Sequence, residues 1–302
     1  MNKNQDKEKM RKETFSSSCT PIILIGFLLF LSLSAVAQRT KTITILHTND
    51  THSRIEPIEA NFPDTRLADK GGFVRRATCL DKVREEKPDL LLFDCGDFSQ
   101  GTPYYNMFKG EVEIKLMNSM GYDAGTIGNH EFDFGLDNMA RLFKMADYPI
   151  VCANYGVEGT VLEGLVKPYV IIKRDGLKIG VFGLSPKMEG LVQANKCEGI
   201  VYKDPIKTAN ELAAFLKKEK KCDAVICLSH LGYKPSSADD PACDINLVRQ
   251  TSNIDVVLGG HSHTFLEQPA IYVNAVGKNV PISQMGSRGT FVGRMDLIFE
   301  KK

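Results

Sequence analysis

The stretch DAGTIGNHEFDFG, residues 123–135, passes from a short apolar run at 123–127 straight into Gly128, Asn129, His130, Glu131 and Asp133. An apolar run bounded by glycine and polar residues reads as a buried strand. Polar, ligand-type side chains directly after a strand mark the loops on which open α/β sheets carry their function. The same transition recurs. Residues 42–47 (TITILH) lead to Asn49-Asp50-Thr51-His52, and 89–94 (DLLLFD) to Gly96-Asp97. Residues 223–229 lead to His230, and 254–259 to Gly260-His261-Ser262-His263. Runs 149–153 and 177–184 add two more strands. Amphipathic segments at 72–86, 111–120, 136–146 and 205–220 are helix candidates, the last opening on Pro205 and closing on lysines as the helix dipole favours. This alternation predicts an α/β fold. Residues 269–274, 280–285 and 291–299 follow as strands with no helix between them. Residues 38–302 read as one compact domain.

Composition narrows the function classes. The chain has 302 residues, 43% hydrophobic and 25% charged, an ordinary globular balance that can bury a full core. Lys plus Arg number 38 against 37 Asp plus Glu, so there is no basic excess to neutralise a run of phosphates, and long nucleic acid is excluded as a partner. Neither GxxxxGK[ST] nor GxGxxG occurs, which removes P-loop nucleotide binding, and no G-x-S-x-G elbow is present for serine hydrolysis.

The first 37 residues read as a secretory signal. Residues 1–13 are mixed but basic on balance, 21–33 (PIILIGFLLFLSL) are apolar, and Ala35-Val36-Ala37 places small residues where cleavage before Gln38 requires them. The expected location is periplasmic or extracellular. The alternative is a membrane anchor formed by an uncleaved 21–37 segment, although the apolar run falls short of the roughly 20 residues that span a bilayer. No second apolar segment is long enough to span, so residues 38–302 hold no expected membrane crossing. Seven cysteines remain in that portion, an odd number that cannot all pair. Cys95, Cys152 and Cys227 sit in apolar runs and read as buried; Cys197 and Cys243 lie in polar surroundings where a bridge is possible.

The six histidines are His47, His52, His130, His230, His261 and His263. A single D-x-H or H-x-H pair is weak evidence, because many such pairs only hydrogen-bond a loop. Five strand-end loops that together offer aspartates, an asparagine and histidines point instead to a metal cluster. Imidazole, carboxylate and amide oxygen suit Zn, Mn or another first-row divalent ion.

Five ordered motifs carry a resemblance: ITILHTNDTHSRIEP (43–57), DCGDFSQGTPYYN (94–106), GNHEFDFG (128–135), SHLG (229–232) and GGHSHT (259–264), followed by the closing PISQMGSRGTFVGRMDLIFE. Together they resemble the catalytic domain of the 5'-nucleotidase family, within the calcineurin-like metallophosphoesterases. The resemblance implies a four-layer α/β/β/α sandwich holding two divalent metal ions. It implies Asp50, His52 and His263 as ligands of one ion, Asn129, His230 and His261 as ligands of the other, and Asp97 as the bridge. Some relatives carry Gln at the position of His263. His130, next to the ligand Asn129, is expected to serve the leaving oxygen, with Asp133 orienting it; as an alternative, Asp133 caps a helix over 134–145. His47 is expected to be structural.

The expected reaction is hydrolysis of nucleoside 5'-monophosphates or related nucleotides. A cyclic-nucleotide or nucleotide-sugar phosphodiesterase and a non-catalytic nucleotide- or metal-binding subunit are the alternatives. Relatives usually continue past the equivalent of Lys302 into a domain that stacks the base, so a separate polypeptide carrying such a domain is a further expected partner.

Overall fold

Strand β8, Leu177–Leu184, shows how the layers arise: its residues from Ile179 onward are all buried, as in a strand covered on both faces. Phe182 and Leu184 pack with helical residues, while Ile179 and Val181, equally buried, alternate to the opposite face. The computed structural model describes residues 40–237 and 241–300, so the leader expected over 1–37 lies outside the described residues. Thr42–Ile298 make one compact unit; the other, Met1–Lys41 with Phe299–Lys302, falls almost wholly outside the described residues.

The strands in chain order are β1 Lys41–Thr48, β2 Leu91–Asp94, β3 Ala124–Gly125, β4 Ile150–Val151, β5 Tyr155–Gly156, β6 Val166–Lys167, β7 Tyr169–Arg174, β8, β9 Val201–Tyr202, β10 Ala224–Ser229, β11 Val256–Leu258, β12 Ala270–Val273, β13 Asn279–Ser283 and β14 Gly293–Phe299. The helices are α1 Phe73–Glu86, α2 Pro103–Phe108, α3 Glu111–Met120, α4 Gly135–Met145, α5 Pro205–Lys218 and α6 Asp244–Gln250. One sheet runs β14-β1-β2-β3-β4-β6 and the other β12-β13-β11-β10-β8-β7, each of six strands, with β5 and β9 forming a small ribbon. Helices α1, α3 and α4 cover the first sheet and α5 and α6 the second, giving the four-layer α/β/β/α sandwich.

The sheets meet where Gly183 in β8 lies under Val151: a Cβ there would stand 2.0 Å from the Val151 carbonyl oxygen. His47 belongs to the same middle layer. It is fully buried, and its Nε2 lies 2.9 Å from Ser283 Oγ on the other sheet. It is thus a structural link, as expected.

Parallel pairing decides where function can gather. β1, β2 and β3 run parallel, as do β8, β10, β11 and β13, so each set releases its carboxyl ends on one edge. Helix α5 follows its sequence signals closely: Asp204 Oδ1 accepts the Lys207 amide at 2.8 Å, Pro opens the helix, and Lys217 and Lys218 sit in its last turn.

Several expectations needed correction. Strands 123–127 and 149–153 pair over only two residues each, because the chain turns away toward the loops. β7, α2 and α6 lie outside the segments that the sequence pattern predicts. The last strand does not stay with β12 and β13 but lies beside β1, where Thr44 Oγ1 donates to Asp296 Oδ1 at 2.6 Å. Cys197 and Cys243 are both free, and Cys243 is buried, its Sγ accepting the Asn246 amide at the start of α6. Cys95, Cys152 and Cys227 are buried as expected.

Candidate metal centre

Each expected ligand sits just past a strand, and the backbone there turns sharply. Asp50, His52, Asp97, His261 and His263 all have φ between 47° and 72°, the left-handed region that side-chain-bearing residues normally avoid. Such positions cost about 1 kcal/mol or more each and cluster at sites where side chains must be aimed. Gly128 allows the close approach the turns need: a Cβ there would lie 2.1 Å from Asp97 Oδ1.

Two groups of donor atoms result. Asp50, His52 and His263 form one, and Asp97, His230 and His261 the other, with the donors of each group within 4.8 Å of one another. Asp50 Oδ1 stands 3.9 Å from His52 Nε2, 3.3 Å from His263 Nε2 and 3.9 Å from His230 Nε2, so the groups adjoin. Asp97 Oδ2 lies 3.1 Å from His230 Nε2. Asn129 is buried, and its Oδ1 has no hydrogen-bond partner among the described residues.

The tautomers follow from the partners. His230 Nδ1 lies 2.6 Å from the Cys95 carbonyl and His52 Nδ1 lies 3.2 Å from that of Ser99, so both Nδ1 atoms donate and both Nε2 atoms turn their lone pairs into the centre. A buried, unpaired amide oxygen and converging imidazole lone pairs beside carboxylates are what a divalent cation requires. The donor set fits two divalent ions of the first transition row. Desolvation alone would lower the His230 pKa, but the Asp97 carboxylate outweighs it and pushes the value up to about 10, so Nε2 carries a proton that a divalent ion would displace to take the lone pair. Desolvation would likewise raise Asp97, but its histidine neighbours, His230 first, hold it well below the usual carboxylate range. His261, desolvated and beside His230, is lowered to about 4 and stays neutral.

His130 occupies a different place. Its backbone amide donates to Asp97 Oδ1 at 2.9 Å, while its Nδ1 lies 3.2 Å from Asp133 Oδ2. The hydrogen bond that Asp133 accepts from the ring is the first cause raising the His130 pKa. Helix α4 begins at Gly135 without a side-chain cap, so Asp133 faces His130 and does not cap the helix.

Glu131 received no role from its motif. Its buried carboxylate accepts the amides of Asp97 at 3.0 Å, Gly128 at 2.6 Å and Ser99 at 3.2 Å, tying the Asp97 loop to the Asn129 loop. Desolvation raises its pKa to about 7. A carboxylate between Asn129-His130 and Phe132 is the available signal, but two of its three partners, Asp97 and Ser99, lie more than thirty residues away.

Residues 43–265 match the calcineurin-like phosphoesterase family. A snake venom 5'-nucleotidase from Gloydius brevicauda is 33% identical over 95% of this chain and 50% of its own length. The crystal structure of a 5'-nucleotidase precursor from Thermus thermophilus superposes with a TM-score of 0.78 at 31% identity, covering 86% of this chain and 52% of that one. An NAD nucleotidase from Haemophilus influenzae gives 0.76 at 28% identity, covering 87% and 54%. The chain thus spans about half the length of the curated relatives it matches. The two donor groups at the carboxyl edges of two stacked sheets and the match over residues 43–265 agree: this chain belongs to the calcineurin-like phosphoesterase family.

Proposed function

We propose that the protein is an exported, dimetal phosphoesterase that hydrolyses nucleoside 5'-monophosphates or related nucleotides to nucleoside and phosphate. The observation that carries this reading is the convergence of six ligand-type side chains in two adjoining groups, with the buried Asn129 Oδ1 left unpaired, beside a hydrogen-bonded His130–Asp133 pair. Similarity to 5'-nucleotidases supports the nucleotide class. The leader-like residues 1–37 support export.

In this reading Asp50, His52 and His263 would hold one ion, Asn129, His230 and His261 the other, and Asp97 would serve both. Two bound divalent ions supply an activated water and neutralise phosphoryl oxygens. The protein's own residues do the rest. The Cys95 and Ser99 carbonyls lock His230 and His52 in the donating tautomer, and Glu131 holds the two loops in register. His130, its Nδ1 turned to Asp133, keeps a proton at Nε2 for the departing oxygen, a contribution typically worth 10²–10⁴-fold.

A second reading, cleavage of a dinucleotide or other phosphodiester at the same site, is favoured by the similarity to the Haemophilus influenzae NAD nucleotidase. The deciding experiment assays purified protein with Mn²⁺, Zn²⁺ or Co²⁺ against adenosine monophosphate, NAD and an aryl phosphodiester. Faster phosphate release from the monoester supports the first reading, faster diester cleavage the second, and no turnover with any metal refutes both.

A further inference from the structure

The cavity over the candidate metal centre carries cationic chemistry that the ligand set leaves unused. Its volume is about 390 Å³, and its walls include His52, His130 and His263 together with Arg54, Phe62 and Arg288. Arg54 already has an ion partner, its Nη2 lying 2.8 Å from Glu59 Oε2, although its buried Nε has none among the described residues. Arg288 has no ion partner among the described residues. Its guanidinium carbon stands 5.2 Å from the centroid of the Phe62 ring, and among the described residues its side chain makes no hydrogen bond. Glu59 is a carboxylate within its electrostatic reach, and Arg54 already engages that group.

The backbone fixes this arrangement. Arg288 has φ 61°, and its amide donates to the Asp50 carbonyl at 2.6 Å, which anchors the turn to the loop of an expected ligand. A guanidinium held over an aromatic face is restrained before any ligand arrives, and its N–H fork matches a phosphate bidentately.

We propose that Arg288, held over Phe62, is a specificity residue that binds a second anionic group of the substrate, a phosphoryl group that is not itself transferred. Substrates with two phosphates, such as nucleoside diphosphates or bisphosphates, are then favoured over those with one. The proposal rests on the reading of this site as a phosphoester hydrolase.

The test uses the Mn²⁺-loaded full chain and two inert probes, inorganic phosphate and methylenediphosphonate, with Kd measured by calorimetry. Arg288→Ala should weaken the diphosphonate at least tenfold more than phosphate, with Arg288→Lys between the two and Phe62→Leu shifting the same ratio in the same direction. In turnover, Arg288→Ala should lower the ratio of kcat/KM for adenosine diphosphate over adenosine monophosphate at least tenfold. Equal changes for both probes, or no change, overturn the assignment. Arg288-dependent diphosphonate binding by a protein that hydrolyses no phosphomonoester keeps the assignment and overturns the hydrolase reading instead.

Discussion

His52 Nε2 and His263 Nε2 stand 2.9 Å apart although 211 residues separate them in the chain. The His52 proton is committed to the Ser99 carbonyl through Nδ1, and Asp50 Oδ1 lies 3.3 Å from the same His263 nitrogen. Lone pairs so placed repel one another unless a proton or a cation lies between them. A divalent ion should therefore stabilise the fold, by about 2.7 kcal/mol per site when free ion is a hundred times its Kd. Thermal unfolding in chelator and in Mn²⁺ would show this as a rise in Tm with metal. His263→Ala should shrink the rise; an undiminished rise in that variant would remove His263 from the ligand set.

His130 and Asp97 are joined by a hydrogen bond at 2.9 Å but should fail differently when replaced. Asp97→Ala should lose or scramble both ions, because its carboxylate lies 3.1 Å from His230 and also feels His52 of the other donor group. His130→Ala should keep close to two ions per chain and lose turnover, roughly 10²–10⁴-fold and most for poor leaving groups, since what it contributes is a proton. Metal analysis alongside a series of aryl phosphates separates the two. Loss of metal in His130→Ala would show that its role is coordination.

Much of this centre was legible in the chain, because each expected ligand follows an apolar run and its chemistry is written in its side chain. Asp50, Asp97, Asn129, His230 and His261 all lie within three residues of a strand end, except where β3 stops early at Gly125. The less legible features depend on partners distant in sequence. Glu131 reads as one more acid in GNHEFD until the amides of Asp97 and Ser99 are brought to it. Arg288 and Phe62 are more than two hundred residues apart, and no local pattern pairs them. β14 has the same alternation whichever sheet it joins, so its place beside β1 is a property of packing. Cys243 looked like a bridge candidate because a thiol accepting a backbone amide at a helix start has no distinctive spacing.

His47 makes the fold sensitive to acid independently of the metals. Desolvation between the sheets lowers its pKa from 6.5 to about 4, so the folded state keeps it neutral while the unfolded chain takes up a proton below 6.5. Because the unfolded state binds more protons, stability falls as pH drops from about 6.5 toward 4, and nothing is lost above that window. By pH 5 the loss is about 2 kcal/mol, at 1.36 kcal/mol per pH unit. Urea unfolding of wild type and His47→Gln at pH 7 and pH 5 isolates this contribution, since any fixed cost of the substitution is common to both. A gap between the two proteins that does not change with pH would mean that His47 is charged in the fold.

The walls of the cavity also bear on which nucleotides are distinguished. Base stacking on an aromatic face is worth on the order of 1–3 kcal/mol and is the usual source of remote binding energy in nucleotide recognition. Phe62 is the one phenyl ring that lines this cavity among the described residues, and the Arg288 guanidinium already lies over it. A base therefore meets a phenyl ring with one face already taken by a guanidinium, while the phosphate presents the same group to the centre whatever base it carries. Adenosine, guanosine, cytidine and uridine monophosphates should accordingly be hydrolysed by residues 38–302 with kcat/KM values within about tenfold of one another, a span of about 1.4 kcal/mol. Measuring the four under one metal condition tests this directly. A wider spread that collapses in Phe62→Leu would place a base-reading surface on that ring and show that the guanidinium swings aside to admit it.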